Sequence, residues 1–169
     1  MIKFLLARGK DNPSTTFEDV YERQFDMVYR VCFSYIKNAA DAEDAAAQVF
    51  EKLLKNGTAI FKDTEHEKAW LLRTTINQCK DYLKNIRRSF ANIDDYKNLE
   101  AENALPDNEL LRTVFGLPER YKDVIYLYYY EGYSTAEVAQ ILKKPQSTIR
   151  SHMREARILL KGVLEDEER

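Results

Sequence analysis

Glycine and proline are scarce in this chain, five and four among 169 residues, and valine-rich alternating runs are missing. So few turn residues and no period-two pattern argue against sheets and for helices. Cysteine is scarcer still. Cys32 and Cys79 lack the spacing of a metal or redox pair, and two cysteines make no disulfide scaffold. A reducing cytoplasm is the expected compartment. Long apolar runs are absent too. The opening "MIKFLLARGK" holds one short run, Phe4 to Ala7, too short for the core of a signal peptide. Nothing approaches the length of a membrane span, so no direct insertion is expected, and any membrane link should come through a partner. A surplus of one charge is missing as well: the net charge is −2, so any electrostatic function must be local. The chain shows no Ser-His-Asp or Cys-His arrangement and no glycine-rich phosphate loop. His66 and His152 have no companions at metal-ligand spacing. The chain therefore reads as a non-enzyme, with no cofactor, metal or small-molecule substrate.

What the sequence does contain is helical punctuation. In "TFEDVYERQFDMVYRVCFSYI", Thr16 and Asp19 form a capping-box pattern. Phe17, Val20, Tyr21, Phe25, Val28 and Phe33 then recur roughly every three or four residues as the expected apolar face. In "DAEDAAAQVFEKLLKNG", Asp41 is the expected N-cap, and Glu43 and Asp44 favour the positive end of the helix dipole. Val49, Phe50, Leu53 and Leu54 supply its apolar face, and Asn56-Gly57 ends it. A loop, "TAIFKDTEHE", follows. Thr64 and Glu67 then form a second capping-box pattern before a long helix. That helix buries Ala69, Leu72, Ile76, Cys79, Leu83 and Ile86 and turns Arg73, Asn77, Lys80 and Lys84 outward.

Residues 89–109 change character, with six acids against the single Lys97, and Pro106 breaks any helix. This is the pattern of a flexible acidic linker. The expected fold is all-α: an N-terminal segment 1–16, a helical domain 17–88, the linker, a second helical domain 110–164 and an acidic tail 165–169. In the second domain, Pro118 suits a first helical turn, a tyrosine-rich helix follows, and Gly132 closes it. Ser134 and Glu137 cap a short helix. Lys143-Lys144-Pro145 then turns into a longer helix packed through Ile149, Met153, Ala156, Leu160 and Val163. A short helix, a tight turn and a longer helix make the sequence shape of a helix-turn-helix.

The cations decide what that shape is for. From Lys143 to Lys161 the chain carries six Lys/Arg and one acid, Glu155. At about 100° per residue, Arg150, Arg154, Arg157 and Lys161 share one narrow sector, bordered by Ser147 and Ser151. Arginine offers bidentate donors to guanine, and serine short donors to backbone oxygens. Such a sector suits duplex DNA, and the alternative from this pattern alone is a solvated basic face in a helical bundle.

Together, "DAEDAAAQVFEKLL", "AWLLRTTINQCKDYLKNIRR" and "LPERYKDVIYLYYYEGYSTAEVAQILKKPQSTIRSHMREARILLK" resemble the extracytoplasmic-function (ECF) sigma factors, small two-domain members of the sigma-70 family. The resemblance implies that the first domain binds the clamp of core RNA polymerase and reads the melted minus-ten element, while the second reads the minus-thirty-five element as duplex. It places Asp41, Glu43, Asp44, Gln48 and Glu51 on polymerase. Phe61, Arg73, Asn77, Lys80 and Lys84 fall on the minus-ten strand, and Lys144, Ser147, Arg150, Ser151, Arg154 and Arg157 on the upstream duplex. Trp70 matches a characteristic family tryptophan. An anti-sigma factor is the implied regulator. The chain departs from the family in three places. Ala47-Gln48 stands where Gln-Glu is common, Glu155 where a basic residue is usual, and His152 where Arg is common. Glu155 would repel phosphate or accept from a cytosine amino group. The alternative reading is a helix-turn-helix regulator that binds duplex DNA as a dimer.

Overall fold

The computed structural model describes residues 16–89, 113–114 and 116–167. It divides into two compact units, Met1–Asn103 and Ala104–Arg169. The expected linker lies, except for Ser89, outside the described residues.

In the first unit, α1 (Phe17–Ile36), α2 (Ala39–Asn56) and α3 (Thr64–Ser89) pack pairwise against one another. The Thr16 capping box forms in both directions: the Asp19 N–H donates to Thr16 Oγ1 at 3.2 Å, and the Thr16 N–H to Asp19 Oδ2 at 2.9 Å. Two other expected caps are corrected. Asn38, not Asp41, caps α2 by accepting the Asp41 N–H at 3.0 Å, because the helix begins three residues earlier than the sequence suggests. Asp63 caps α3 by accepting the His66 N–H at 2.7 Å.

Glu67 is thereby released from capping, and it turns inward. It is 1% exposed. It accepts from Arg23 Nε at 3.2 Å, Arg23 Nη2 at 2.8 Å and Gln24 Nε2 at 2.8 Å, tying α1 to α3. Between α2 and α3 the segment is a 3₁₀ turn at Thr58–Ile60, not a continuous loop. Gly57 ends α2 at φ 75°, which only glycine adopts without strain.

The core face of α1 also differs from expectation. It is built from Val20, Gln24, Met27, Val28, Val31, Cys32, Ser34 and Tyr35. Phe17, Phe25 and Phe33 are only half-buried, and Tyr21 is exposed. On α2, Val49, Phe50 and Leu53 are buried as expected, whereas Leu54 is 63% exposed. On α3 the expected stripe from Ala69 to Leu83 is buried, Cys79 included, and Ile86 is half-buried.

In the second unit, Pro118 stands just outside α4 (Glu119–Ile125) as its N-cap, because its ψ of 144° is extended. The tyrosine-rich stretch does not continue α4 as a regular helix. It widens into a π turn at Tyr126–Tyr130, closed by the Glu131 N–H on the Tyr126 carbonyl at 3.1 Å. Ser134 and Glu137 cap α5 (Thr135–Leu142) in both directions. Lys143, at φ 52°, ends α5 in the left-handed region. Lys144 N–H bonds Ala139 O at 3.0 Å, and the chain turns through Pro145 into α6 (Gln146–Glu167). α6 packs on both α4 and α5 through Ile149, Met153 and Ala156. Leu160 is half-buried.

Candidate nucleic-acid interface

The α5–turn–α6 unit fixes one face of α6 against the protein and leaves the other to solvent. Ser147, Arg150, Ser151, Arg154, Arg157 and Lys161 are all exposed on that outer side, and Lys144 is half-buried in the turn. Arg157 and the neighbouring Glu155 have partners that the sequence does not announce. Arg157 Nε donates to the Tyr129 hydroxyl at 2.8 Å, and its guanidinium stands 5.7 Å from the Tyr129 ring centre. Glu155 accepts from Tyr121 at 2.5 Å and from Ser151 at 3.3 Å. The Tyr121 hydrogen bond is the main reason that the Glu155 carboxyl sits below the ordinary range, so it is ionised at neutral pH. Burial pushes the His152 imidazole down, and nearby Lys144 adds to the effect. Asp123, 2% exposed on α4, is pushed up to about 7 by burial, with Lys144 pulling the other way.

In the first unit the expected residues fall into two sets. On α3, Asn77 and Lys84 are exposed, and Arg73 and Lys80 are half-buried. One turn before Arg73, Trp70 meets Phe61 edge-on at 5.7 Å, and Phe61 meets His66 at 5.9 Å. An aromatic cluster therefore adjoins the polar row. On α2, Glu43, Asp44, Gln48 and Glu51 are exposed and Asp41 is half-buried. Gln48 is held in place: its Oε1 accepts from Gln78 Nε2 at 2.6 Å, and Gln78 in turn accepts from Lys52 at 2.5 Å. Glu51 pairs with Lys55 at 2.7 Å, and that pair lowers its pKa.

Beside this acidic row lies a feature that the sequence reading assigned to the core. Phe17, Tyr21, Phe25, Ala47, Phe50 and Leu54, with Glu43 and Glu51, line a groove of about 440 Å³ between α1 and α2. The Tyr21 ring meets those of Phe50 and Phe25 at a tilt, with centres 4.7 Å and 5.1 Å apart. The signal was present: Phe17, Tyr21, Phe25, Tyr29 and Phe33 form an unbroken i,i+4 row. A second, finer-grained row, Val20, Gln24, Met27, Val31 and Cys32, already suffices for the core.

A helix-turn-helix with a cationic outer face, together with a separate three-helix unit that carries aromatic and polar rows, defines a DNA-reading protein of two helical units. Residues 20–89 match the family described as "Sigma-70 region 2", and residues 107–160 match "Sigma-70, region 4". The chain belongs to the sigma-70 family, as a sigma factor of the ECF type that directs RNA polymerase to promoters and is not an enzyme. It is similar to the ECF RNA polymerase sigma factor SigW of Bacillus subtilis, 24% identical over 98% of both chains. It is 27% identical to the RNA polymerase sigma factor SigV of the same organism, over 83% of this chain and 86% of that one. Among solved structures it shares the fold of the sigma factor RpoE in complex with the anti-sigma factor NepR from Bartonella quintana. There the TM-score is 0.70 at 19% identity, over 88% of this chain and 96% of that one. CnrH in complex with the cytosolic domain of CnrY gives 0.59 at 18% identity, over 89% and 88%. Among the described residues, no helix is long and apolar enough to cross a membrane.

Proposed function

We propose that the two units divide promoter recognition between them, in the cytoplasm. α6 enters the major groove of the upstream duplex, with Arg150, Arg154 and Arg157 reaching base edges and phosphates, and Lys144 and Ser147 fixing the entry of the helix. The α3 row Arg73, Asn77, Lys80 and Lys84 tracks the backbone of the unwound minus-ten strand. Phe61 and Trp70 give an unpaired base an aromatic surface to stack on. The acids of α2 (Asp41, Glu43, Asp44 and Glu51), with Gln48 and the groove beside them, dock on the core polymerase. The observation that carries this reading is the exposed cationic sector on the second helix of the helix-turn-helix.

The groove also supplies what the missing family glutamate would have given. With Gln48 in its place, apolar contact at Tyr21 and Leu54 substitutes for one charge contact. The structural relatives were solved in complex with the anti-sigma factor NepR and with the cytosolic domain of CnrY, which favours an anti-sigma partner for this chain.

The test is run-off transcription by purified core polymerase on a promoter library, with and without this chain. Transcripts sharing two spaced elements, present only with the chain, support the division of labour. Transcripts that depend on the upstream element alone would overturn the role given to α3. Binding to a palindrome as a dimer, without recruitment to polymerase, would favour a helix-turn-helix regulator instead.

A further inference from the structure

The Tyr121–Glu155–Ser151 chain has a chemical consequence for DNA reading. An ionised carboxylate can only accept hydrogen bonds, so both hydroxyls must donate to it. Tyr121 donates to Oε2 at 2.5 Å and Ser151 donates to Oε1 at 3.3 Å. Tyr121 is well fixed for this. It is 6% exposed, its ring meets His152 edge-on at 5.8 Å, and the Arg120 guanidinium lies 4.7 Å from its ring centre. A serine hydroxyl has one proton and two lone pairs. Once the proton is committed to Glu155, the exposed Ser151 Oγ presents only lone pairs to whatever approaches α6. Lone pairs repel phosphate oxygens and attract N–H donors. In the major groove those donors are the adenine N6 and cytosine N4 amino groups, whereas guanine and thymine present acceptors.

Resting on the reading of α6 as the upstream-duplex reader, we propose that Ser151 is a specificity residue selecting an amino-bearing base, adenine or cytosine, at the step it faces. Glu155 and Tyr121 are the positioning residues that hold its hydroxyl as an acceptor. Glu155 therefore acts on sequence preference through Ser151 rather than by touching a base or by repelling the backbone.

The experiment uses the full chain with core polymerase on promoters randomised across the upstream element, scoring transcription by base at each position. The wild-type chain should favour adenine and cytosine over guanine and thymine at one position, by about five-fold for a single net hydrogen bond. Ser151→Ala should flatten that position alone, and Ser151→Thr, which keeps the hydroxyl, should restore it. Glu155→Ala frees the serine proton, so guanine and thymine should gain at that position and nowhere else. A Ser151→Ala chain that loses activity equally on every sequence would make Ser151 a phosphate contact and overturn the proposal. So would a Glu155→Ala chain that keeps the preference intact. Arg150→Ala separates the two levels of the reading. If Arg150→Ala changes the profile and Ser151→Ala does not, only the serine assignment falls. If neither does, the placement of α6 on the duplex falls with it.

Discussion

Arg23→Ala tests the tie that holds α1 on α3. Glu67 is 1% exposed and takes three hydrogen bonds, two of them from Arg23. Removing the arginine leaves a buried carboxylate with Gln24 alone. Breaking a buried ion pair from one side typically costs about 3–5 kcal/mol. The Arg23 side chain is itself 37% exposed, so water can enter from its side and offset part of that loss. The expected cost is about 2–3 kcal/mol. The assay can be read in the intact chain, because the only tryptophan, Trp70, lies in the first unit and its fluorescence reports that unit alone. Urea titration should show an earlier midpoint with an unchanged slope. The double variant Arg23→Met, Glu67→Leu removes both charges and should recover most of the loss, because an apolar pair of similar volume leaves no orphaned group. A cost below about 0.5 kcal/mol for Arg23→Ala, or a double variant worse than either single one, would refute the assignment.

Asp123→Asn should change how the second unit responds to pH. The folded carboxyl titrates at about 7 and the unfolded one near 3.8, so the folded state holds the extra proton between them. Stability should therefore fall as pH rises from about 4 to 7 and level off above, by on the order of 4 kcal/mol in total. The asparagine variant should lack that slope when amide exchange of α4 and α6 is followed across pH, and an identical slope in both proteins would reject the assignment. Leu54→Asp should weaken binding to core polymerase about ten-fold or more without lowering the melting temperature, since Leu54 is 63% exposed. Unaltered affinity would remove the groove from the docking face. Arg154→Ala should reduce the salt dependence of upstream-duplex binding by about one unit of log–log slope, measured by titration at several ionic strengths. An unchanged slope would place Arg154 away from phosphate.

Much of the helical architecture was legible because capping and periodicity act locally. The Thr16 and Ser134 boxes are each closed by residues three apart, by hydrogen bonds within the box itself. Thr64 and Glu67 have the same local pattern and fail. A partner 44 residues away, Arg23, offers Glu67 a charged bidentate bond that the cap cannot match, and Asp63 was available to cap instead. The aromatic row of α1 was misplaced for a related reason. Periodicity finds apolar stripes but does not rank them, and the stripe of smaller side chains allows closer helix packing. The cations of α6 needed only helical geometry to be found. Their partners, Tyr129 on Arg157 and Tyr121 on Glu155, depend on a π turn and a helix crossing that local sequence does not encode.

A net charge of −2 conceals a segregation that bears on how one small chain could hold two different partners. On α6, Arg150, Arg154, Arg157 and Lys161 are exposed, and the one acid among them, Glu155, is occupied by two hydroxyls. On α2, Glu43, Asp44 and Glu51 are exposed, and of these only Glu51 has an ion-pair partner among the described residues. At physiological salt a field fades over about 8 Å, so an approaching surface responds to the face that it meets and not to the total. Opposite local signs then sort the encounters: a polyanion is drawn to α6 and repelled by α2, and a basic protein surface the reverse. A uniformly basic chain of this size would gain affinity for any DNA but lose that sorting, because non-specific phosphate attraction would compete with docking on polymerase. The Tyr121 and Ser151 hydroxyls on Glu155 fit the same logic, since they blunt the one charge that would otherwise push the duplex away.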